Sequence, residues 1–208
     1  FEHCAEIDEA ARSAQGRSIK NLLDMQADER IAAILRLERR VSEDGKDIPF
    51  AEDSGNVVFA TKDGTVKKTA LNDFVNYRKA GIIAINLEEG NTLVNAALTS
   101  GSDEVVLVTH DGMSIRFSES DMRTQGRNTI GVRGIKLREG DYVVALAVVQ
   151  QDANLLVVSE NGLGKRTPFD EYRPQSRGGI GIKTMNCTDK TGRVVSATTV
   201  TDADELMI

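Results

Sequence analysis

Four short windows of the sequence concentrate the side chains best suited to bind a ligand, and these side chains are cations. Residues 10–20, 64–81, 122–138 and 172–183 carry local charges of +3, +3, +5 and +3. The whole chain of 208 residues has a formal charge of −6, so the rest of it is strongly acidic. An acidic chain is not a typical nucleic-acid-binding protein, but clustered Lys and Arg bind phosphates whatever the base sequence. The placement of the charge therefore predicts a polyanion track, with ordinary solvated charge as the alternative.

Catalytic and metal-binding patterns are absent from the sequence. His3 and His110 are the only histidines, and His110 comes directly before a predicted turn, where we expect an exposed ring. HExxH, GxSxG and P-loop motifs do not occur, so we expect no catalytic residue, metal site or cofactor in this chain. Cys4 and Cys187 form no paired motif, which suits a reducing, cytoplasmic compartment. No apolar run approaches the ~18 residues of a membrane span.

A repeat of about 50 residues organises the basic windows. Three segments end a β-branched apolar run with Asp-Gly or Asn-Gly: VVFATKDG (57–64), VVLVTHDG (105–112) and LLVVSENG (155–162). These dipeptides between extended runs predict β-hairpins with type I′ turns, in which both central residues have positive φ. The turn glycines lie 48 and then 50 residues apart, and a basic residue follows each turn at the same distance.

The second half of each unit has a polar stretch, a glycine, an extended segment, another turn and a closing strand. The glycine is Gly81, Gly131 or Gly181, and Gly16 begins the same pattern near the N-terminus, where residues 30–35 would be the closing strand. We therefore expect half a unit in residues 1–41, whole units in 54–100, 101–150 and 151–200, and the start of another in 201–208.

The fold class that this repeat predicts is all-β, of propeller type. Four-stranded units of ~50 residues have the size of propeller blades, and about three and a half of them make an incomplete ring. A β-sandwich with accidental internal similarity is the alternative. The shorter WD40 blade is disfavoured because the chain has no Trp.

All four basic windows fall at the same phase of the repeat. In a ring of blades, equal phase places them along one rim, where a polyanion can follow them. The basic residues that follow the hairpin turns join this set. The side chains predicted to bind DNA are Arg12, Arg17, Lys20, Lys67, Lys68, Arg78, Lys79, Arg116, Arg123, Arg127, Arg133, Lys136, Lys165, Arg166, Arg173, Arg177 and Lys183.

Four stretches resemble the C-terminal domain of the DNA gyrase A subunit. They are DGTVKKT (63–69), GRNTIGVRGIKL (126–137), NGLGKRT (161–167) and AQGRSIKNLL (14–23), and the likeness extends over nearly the whole chain. One departure concerns the gyrase-specific box, Gln-Arg-Arg-Gly-Gly-Lys-Gly. The most similar segment of this chain is QSRGGIG (175–181), in which Ser and Ile replace two of the basic residues.

The resemblance implies a β-pinwheel, a propeller-like ring of strand-swapped blades that bends double-stranded DNA around its basic rim. It also implies that wrapping presents a positive crossover to a strand-passage core, so that ATP-driven passage introduces negative supercoils. The cleaving tyrosine, ATP and Mg²⁺ would belong to other parts of a type II topoisomerase in which two A subunits join two gyrase B subunits. This chain would supply no catalytic residue.

Two other functions stay open from the sequence. The corresponding domain in the A subunit of topoisomerase IV senses DNA geometry and wraps less tightly, although regular repeats favour gyrase. A propeller can also be a non-catalytic scaffold for protein–protein contacts through its acidic faces. Salt-dependent binding to duplex DNA would separate both topoisomerase hypotheses from the scaffold.

Overall fold

The regular structure of this chain is made of β-strands. The computed structural model describes residues 7, 9–11, 13–16, 18, 23, 25, 29–37, 40–41, 47–48, 55–75 and 81–206. Within these residues there are three short 3-10 turns and no α-helix, and the all-β prediction is confirmed. The strands are β1 (Arg40–Val41), β2 (Asp47–Ile48), β3 (Asn56–Thr61), β4 (Thr65–Ala70), β5 (Leu93–Thr99), β6 (Glu104–Thr109), β7 (Met113–Ser118), β8 (Val132–Arg133), β9 (Val143–Val148), β10 (Asn154–Ser159), β11 (Gly164–Pro168), β12 (Ile182–Lys183) and β13 (Val194–Val200).

Three antiparallel sheets repeat one strand order, and each is called a blade below. Blade 1 has the order β5-β3-β4-β8, blade 2 has β9-β6-β7-β12, and blade 3 has β13-β10-β11 among the described residues. The outermost strand of blade 1, β8, lies between β7 and β9 in the chain and so comes from the unit of blade 2. Blade 2 receives β12 from the next unit in the same way. The exchange is the strand swap that the resemblance implied. A separate pair joins β1 to β2.

Glycine makes the swap possible, because two backbones approach closely where each exchanged strand begins. Gly131 has a φ of 114° and Gly181 a φ of 79°. A Cβ on Gly181 would lie 2.1 Å from the carbonyl oxygen of Ser114, and one on Gly131 would lie 2.5 Å from that of Val66. Any other residue would meet both a strained φ and a clash. The repeat glycine is therefore a structural requirement of the swap.

The hairpin turns differ from the predicted type I′ geometry. The amide of Gly64 donates to the carbonyl of Thr61 at 3.0 Å, and Gly112 and Gly162 bond to the residues three positions earlier in the same way. In each turn the glycine has positive φ, whereas the preceding Asp or Asn does not. Such loops are type I turns followed by one left-handed residue, which is a three-residue hairpin connection. The Asp-Gly signal predicted the hairpins correctly but the turn type wrongly.

The blades pack face to face, so β3 of blade 1 and β6 of blade 2 are covered on both sides, whereas β10 of blade 3 alternates between buried and half-buried residues. Val58 of blade 1 and Leu107 of blade 2 share one buried cluster, while Val106 of blade 2 and Leu155 of blade 3 share the next. Burial on both faces explains the continuous apolar runs of β3 and β6. The closing strands β5, β9 and β13 contact one another in turn. They form the inner side of the ring, and the swapped strands lie at its circumference.

Residues 29–37 differ from the closing strand predicted at 30–35. They belong to no sheet among the described residues, although Ala33, Leu35 and Leu37 pack against the cluster around Phe59 of blade 1. In the whole units the closing strand pairs with the first strand of its own unit. Among the described residues no strand pairs with 29–37, so their apolar side chains pack on blade 1 without a hydrogen-bonded ladder.

Candidate nucleic-acid interface

Two basic segments run along the outer strands of the preceding blades. The bridge between Thr124 and Lys68, together with the pairing of β8 with β4, makes residues 124–133 follow β4 along its length. Residues 174–183 follow β7 in the same manner. Because β4 and β7 lie on the side away from the inner strands, both segments occupy the circumference. The name rim is used below for residues 122–136 and 172–183.

The exposed cations of the rim recur at intervals of 50 residues. Arg123 matches Arg173 and Arg133 matches Lys183, and all four side chains are exposed, as is that of Lys136. In the part of the chain that the structure describes, none of these five forms an ion pair. The rim sequence contains no Asp or Glu. Phosphates can therefore bind these cations without displacing a carboxylate.

Arg127 and Arg177 are half-buried, and each bonds to the backbone of the unit before its own. Arg177 donates from Nη1 to the carbonyl oxygen of Arg133 at 3.1 Å and from Nε to that of Asp121 at 2.9 Å. Arg127 donates from Nη1 to the carbonyl oxygen of Ile83 at 3.4 Å, which is the equivalent contact one unit earlier. A guanidinium has five N–H donors, so each side chain retains donors for a phosphate.

The predicted phosphate contact of Lys67 is wrong, because this side chain is fully buried. Its Nζ donates to the carbonyl oxygen of Ala84 at 2.7 Å and to that of Arg127. Burial lowers the pKa of Lys67 to about 8, an effect that nearby Arg127 adds to and Asp73 opposes. The side chain thus ties one rim arginine to the preceding unit through the backbone.

Lys68 and Arg116 also point into the molecule, so their predicted direct DNA contact is wrong as well. Nζ of Lys68 donates to the carbonyl oxygen of Glu119 at 2.7 Å. Arg116 donates from Nη1 to the carbonyl oxygen of Phe169 at 2.7 Å, and it forms an ion pair with Glu104. Positions 119 and 169 are equivalent in the repeat, each opening the 3-10 turn of the next blade. These two cations therefore hold consecutive blades together.

The remaining candidates fall into two groups. Lys165 and Arg166 are exposed on β11, where Nη1 of Arg166 lies 2.6 Å from Oδ1 of Asp202. Their role in DNA binding stays a prediction. Outside the described residues lie Arg12, Arg17, Lys20, Arg78 and Lys79.

Comparison with protein families shows to which family the three blades belong. The family model described as "DNA gyrase C-terminal domain, beta-propeller" matches residues 55–100, 103–150 and 153–201, one match for each blade. The chain belongs to this family.

Its relatives are named as the A subunit of DNA gyrase. The protein of Clostridium acetobutylicum is 44% identical over 203 residues, which are 98% of this chain and 23% of that protein. The protein of Salmonella typhimurium is 47% identical over 128 residues, which are 62% of this chain and 13% of that protein. This gyrase-family chain therefore spans less than a quarter of the length of these relatives.

Two solved structures share the fold at 28% sequence identity. A crystal structure of the C-terminal domain of DNA topoisomerase IV has a TM-score of 0.75 and covers 90% of this chain and 56% of that chain. A structure of the DNA gyrase A C-terminal domain has a TM-score of 0.73 and covers 91% of this chain and 60% of that chain. The propeller-like fold is confirmed, and it is common to both enzymes.

His110 of this gyrase-family chain is not the exposed turn residue that the sequence predicted. Its half-buried ring stacks on Tyr142 with ring centres 4.5 Å apart, and its Nδ1 lies 3.1 Å from the carbonyl oxygen of Val194. With Lys62 and Glu160 these residues line an open cavity of about 400 Å³ at the inner strands.

The described residues include no group of three or more His, Cys, Asp or Glu that could hold a metal, nor a helix suited to cross a membrane.

Glu119 is a structural anchor of the interface that the sequence reasoning missed. Its fully buried carboxylate accepts hydrogen bonds from Oγ1 of Thr99 and from the amides of Gly101 and Asp103, each at 2.8 Å. Nζ of Lys68 lies 3.9 Å from the same carboxylate. The polar sequence Glu119-Ser120-Asp121 suggests an exposed turn, but the repeat indicates that position 119 is buried. Position 119 is equivalent to 71 and 169, which hold apolar core residues.

Proposed function

We propose that this chain binds and wraps double-stranded DNA around the outer circumference of its blades. The observation that supports this most directly is the rim itself, with five exposed cations that have no ion-pair partner among the described residues: Arg123, Arg133, Lys136, Arg173 and Lys183. A duplex that follows the outer edge passes equivalent cations on successive blades. The acidic remainder of the chain repels the phosphate backbone and keeps the duplex on the rim.

In the complete protein, the wrap would serve DNA gyrase, an ATP-dependent type II topoisomerase. The family match and the relatives named as the gyrase A subunit support this proposal. Wrapping with one handedness would present a positive crossover, and strand passage would convert it into negative supercoils. The cleavage chemistry, ATP, Mg²⁺ and the contact with the B subunit would come from other parts of a cytoplasmic complex of two A and two B subunits.

A second candidate is the DNA-geometry-sensing domain of topoisomerase IV, because a C-terminal domain of that enzyme shares this fold at a TM-score of 0.75, beside 0.73 for the gyrase domain. The two functions differ in the reaction of the complete enzyme. Given ATP and the B subunit, gyrase makes a relaxed circular DNA negatively supercoiled, whereas topoisomerase IV removes crossings without that product. Removing this chain from a gyrase should abolish supercoiling and leave relaxation.

Binding of the chain to a duplex of about 40 base pairs across a salt series tests the proposal. We expect log affinity to fall steeply and linearly with log salt, since each bound phosphate releases counterions. A flat response or no binding by a folded sample would contradict DNA wrapping. It would favour the protein-scaffold alternative instead.

A further inference from the structure

Two isoleucines project from the basic rim, which is an unusual place for apolar side chains. Ile130 is 45% exposed and Ile180 is 52% exposed, and they lie 50 residues apart at the same phase of the repeat. Neither belongs to any of the three buried apolar clusters among the described residues. Their exposure is therefore a repeated feature of the surface that the packing of the blades does not explain.

The backbone on both sides of these isoleucines is held in place. Each directly precedes the left-handed glycine at which a swapped strand begins, Gly131 or Gly181. Before Ile130, the carbonyl oxygen of Thr129 accepts the amide of Asn86 at 3.0 Å. Before Ile180, the amide of Gly178 donates to the carbonyl oxygen of Gly134 at 2.6 Å. The two side chains are thus presented outward by a fixed backbone.

Cations flank both isoleucines with the same spacing. Arg127 and Arg133 lie three residues before and after Ile130, and Arg177 and Lys183 lie three residues before and after Ile180. Cations on both sides of an apolar side chain can bind the phosphates that border a groove. The apolar side chain between them then faces the groove itself.

We propose that Ile130 and Ile180 enter the minor groove of the wrapped duplex and help to maintain its bend. This inference rests on the proposed wrapping function. Proteins that bend DNA from the minor groove combine Arg or Lys contacts with apolar side chains that press between base steps. The minor groove also carries little sequence information, so this contact is compatible with binding at any sequence. Every unit with an isoleucine at this phase would then add one increment of bending.

The test is the double variant Ile130→Thr/Ile180→Thr, which keeps β-branched side chains but adds a polar group. We expect about tenfold weaker binding to a 40-base-pair duplex at every salt concentration, because two partly buried apolar contacts are lost. The slope of log affinity against log salt should stay unchanged. Energy transfer between dyes at the two duplex ends should report a smaller bend. The variant Ile130→Val/Ile180→Val should restore both properties.

A matched control replaces exposed apolar residues outside the rim, Ile34→Thr/Val195→Thr, whose exposures are 88% and 48%. It should bind and bend DNA like the parent. Duplexes with uracil in place of thymine lack the major-groove methyl group and should bind equally well. Inosine in place of guanine alters the minor groove and should change the bend.

The outcomes separate this inference from the function on which it rests. Parent-like affinity and bend in the Ile→Thr variant would overturn the minor-groove contact and leave DNA wrapping intact. Dependence on the thymine methyl group alone would also overturn it, by placing the contact in the major groove. Absence of duplex binding by the folded parent would overturn both proposals.

Discussion

Neutralising three rim cations should change the salt dependence of DNA binding by an amount that follows from the structure. The variant Arg133→Gln/Lys136→Gln/Lys183→Gln removes three exposed cations that form no ion pair among the described residues. The rim also presents the exposed Arg123 and Arg173 and the half-buried Arg127 and Arg177. The parent therefore offers seven cations to the phosphates, and the variant offers four.

Each neutralised phosphate contributes about −0.9 to the slope of log affinity against log salt. If every rim cation binds one phosphate, the slope is about −6.3 for the parent and about −3.6 for the variant. Between 50 and 200 mM salt the parent should lose affinity roughly 6,000-fold, and the variant roughly 150-fold. The difference is largest at low salt, where the parent binds most tightly.

Fluorescence anisotropy with a labelled duplex of about 40 base pairs measures both slopes. The control variant Lys62→Gln/Lys190→Gln/Arg193→Gln changes the net charge equally but leaves the rim intact, and Lys62 lies beside Tyr142 at the inner strands. It should keep a slope close to that of the parent. Equal slopes in parent and rim variant, or an equal reduction in the control, would refute the assignment of the rim as the DNA path.

Three further predictions concern the stability of the blades, measured by urea unfolding. Gly181→Ala should cost more than about 2 kcal/mol, because it adds a clash to a strained φ, while Gly140→Ala, with a φ of 78° and open space, should cost about 1 kcal/mol; equal costs would contradict the role of the close approach. Glu119→Gln should lower the free energy of unfolding by about 3 kcal/mol, because Glu119 is a buried acceptor of several hydrogen bonds. A loss below about 0.5 kcal/mol would contradict this role. Because the pKa of Lys67 is lowered to about 8, the unfolded chain binds more protons than the folded one between pH 8 and 10.5. The free energy of unfolding should therefore rise over this range relative to that of the Lys67→Met variant, by at most about 3 kcal/mol. Parallel pH profiles of the two proteins would contradict the burial of this charge.

The sequence was sufficient to predict the fold because the period and the turn residues are local signals. Three Asp-Gly or Asn-Gly turns at nearly equal intervals predict repeated hairpins, and the hairpins are present. The turn type was less predictable, because both type I′ turns and three-residue loops use glycine with positive φ. The two connections differ in loop length, two residues against three, and in the sign of φ at the residue before the glycine.

Whether each basic side chain is exposed or buried was harder to predict. Alternating side chains along a strand are alternately buried and exposed only where one face of the sheet meets water. Lys67 and Lys68 are neighbours in β4 and point to opposite faces, yet both are buried because blades cover both faces. The repeat contained a warning, since Lys67 is equivalent to Ile115, a fully buried residue. The third equivalent residue, however, is the exposed Lys165, so residue types at equal phase do not by themselves predict that Lys67 is buried.

The strand swap connects the stability of the ring to its capacity to bind DNA. The segment that completes the outer edge of one blade is also the segment that carries the rim cations of the next unit. Arg177 strengthens this connection, because it donates to the backbone beside Arg133 while remaining part of the rim. A change that disturbs only the swap, such as Gly181→Ala, should therefore weaken DNA binding although it removes no charge. Gly140→Ala lies outside the swap and should leave DNA binding at the parental level, which makes the pair a direct test of whether a formed blade edge is needed to align the cations.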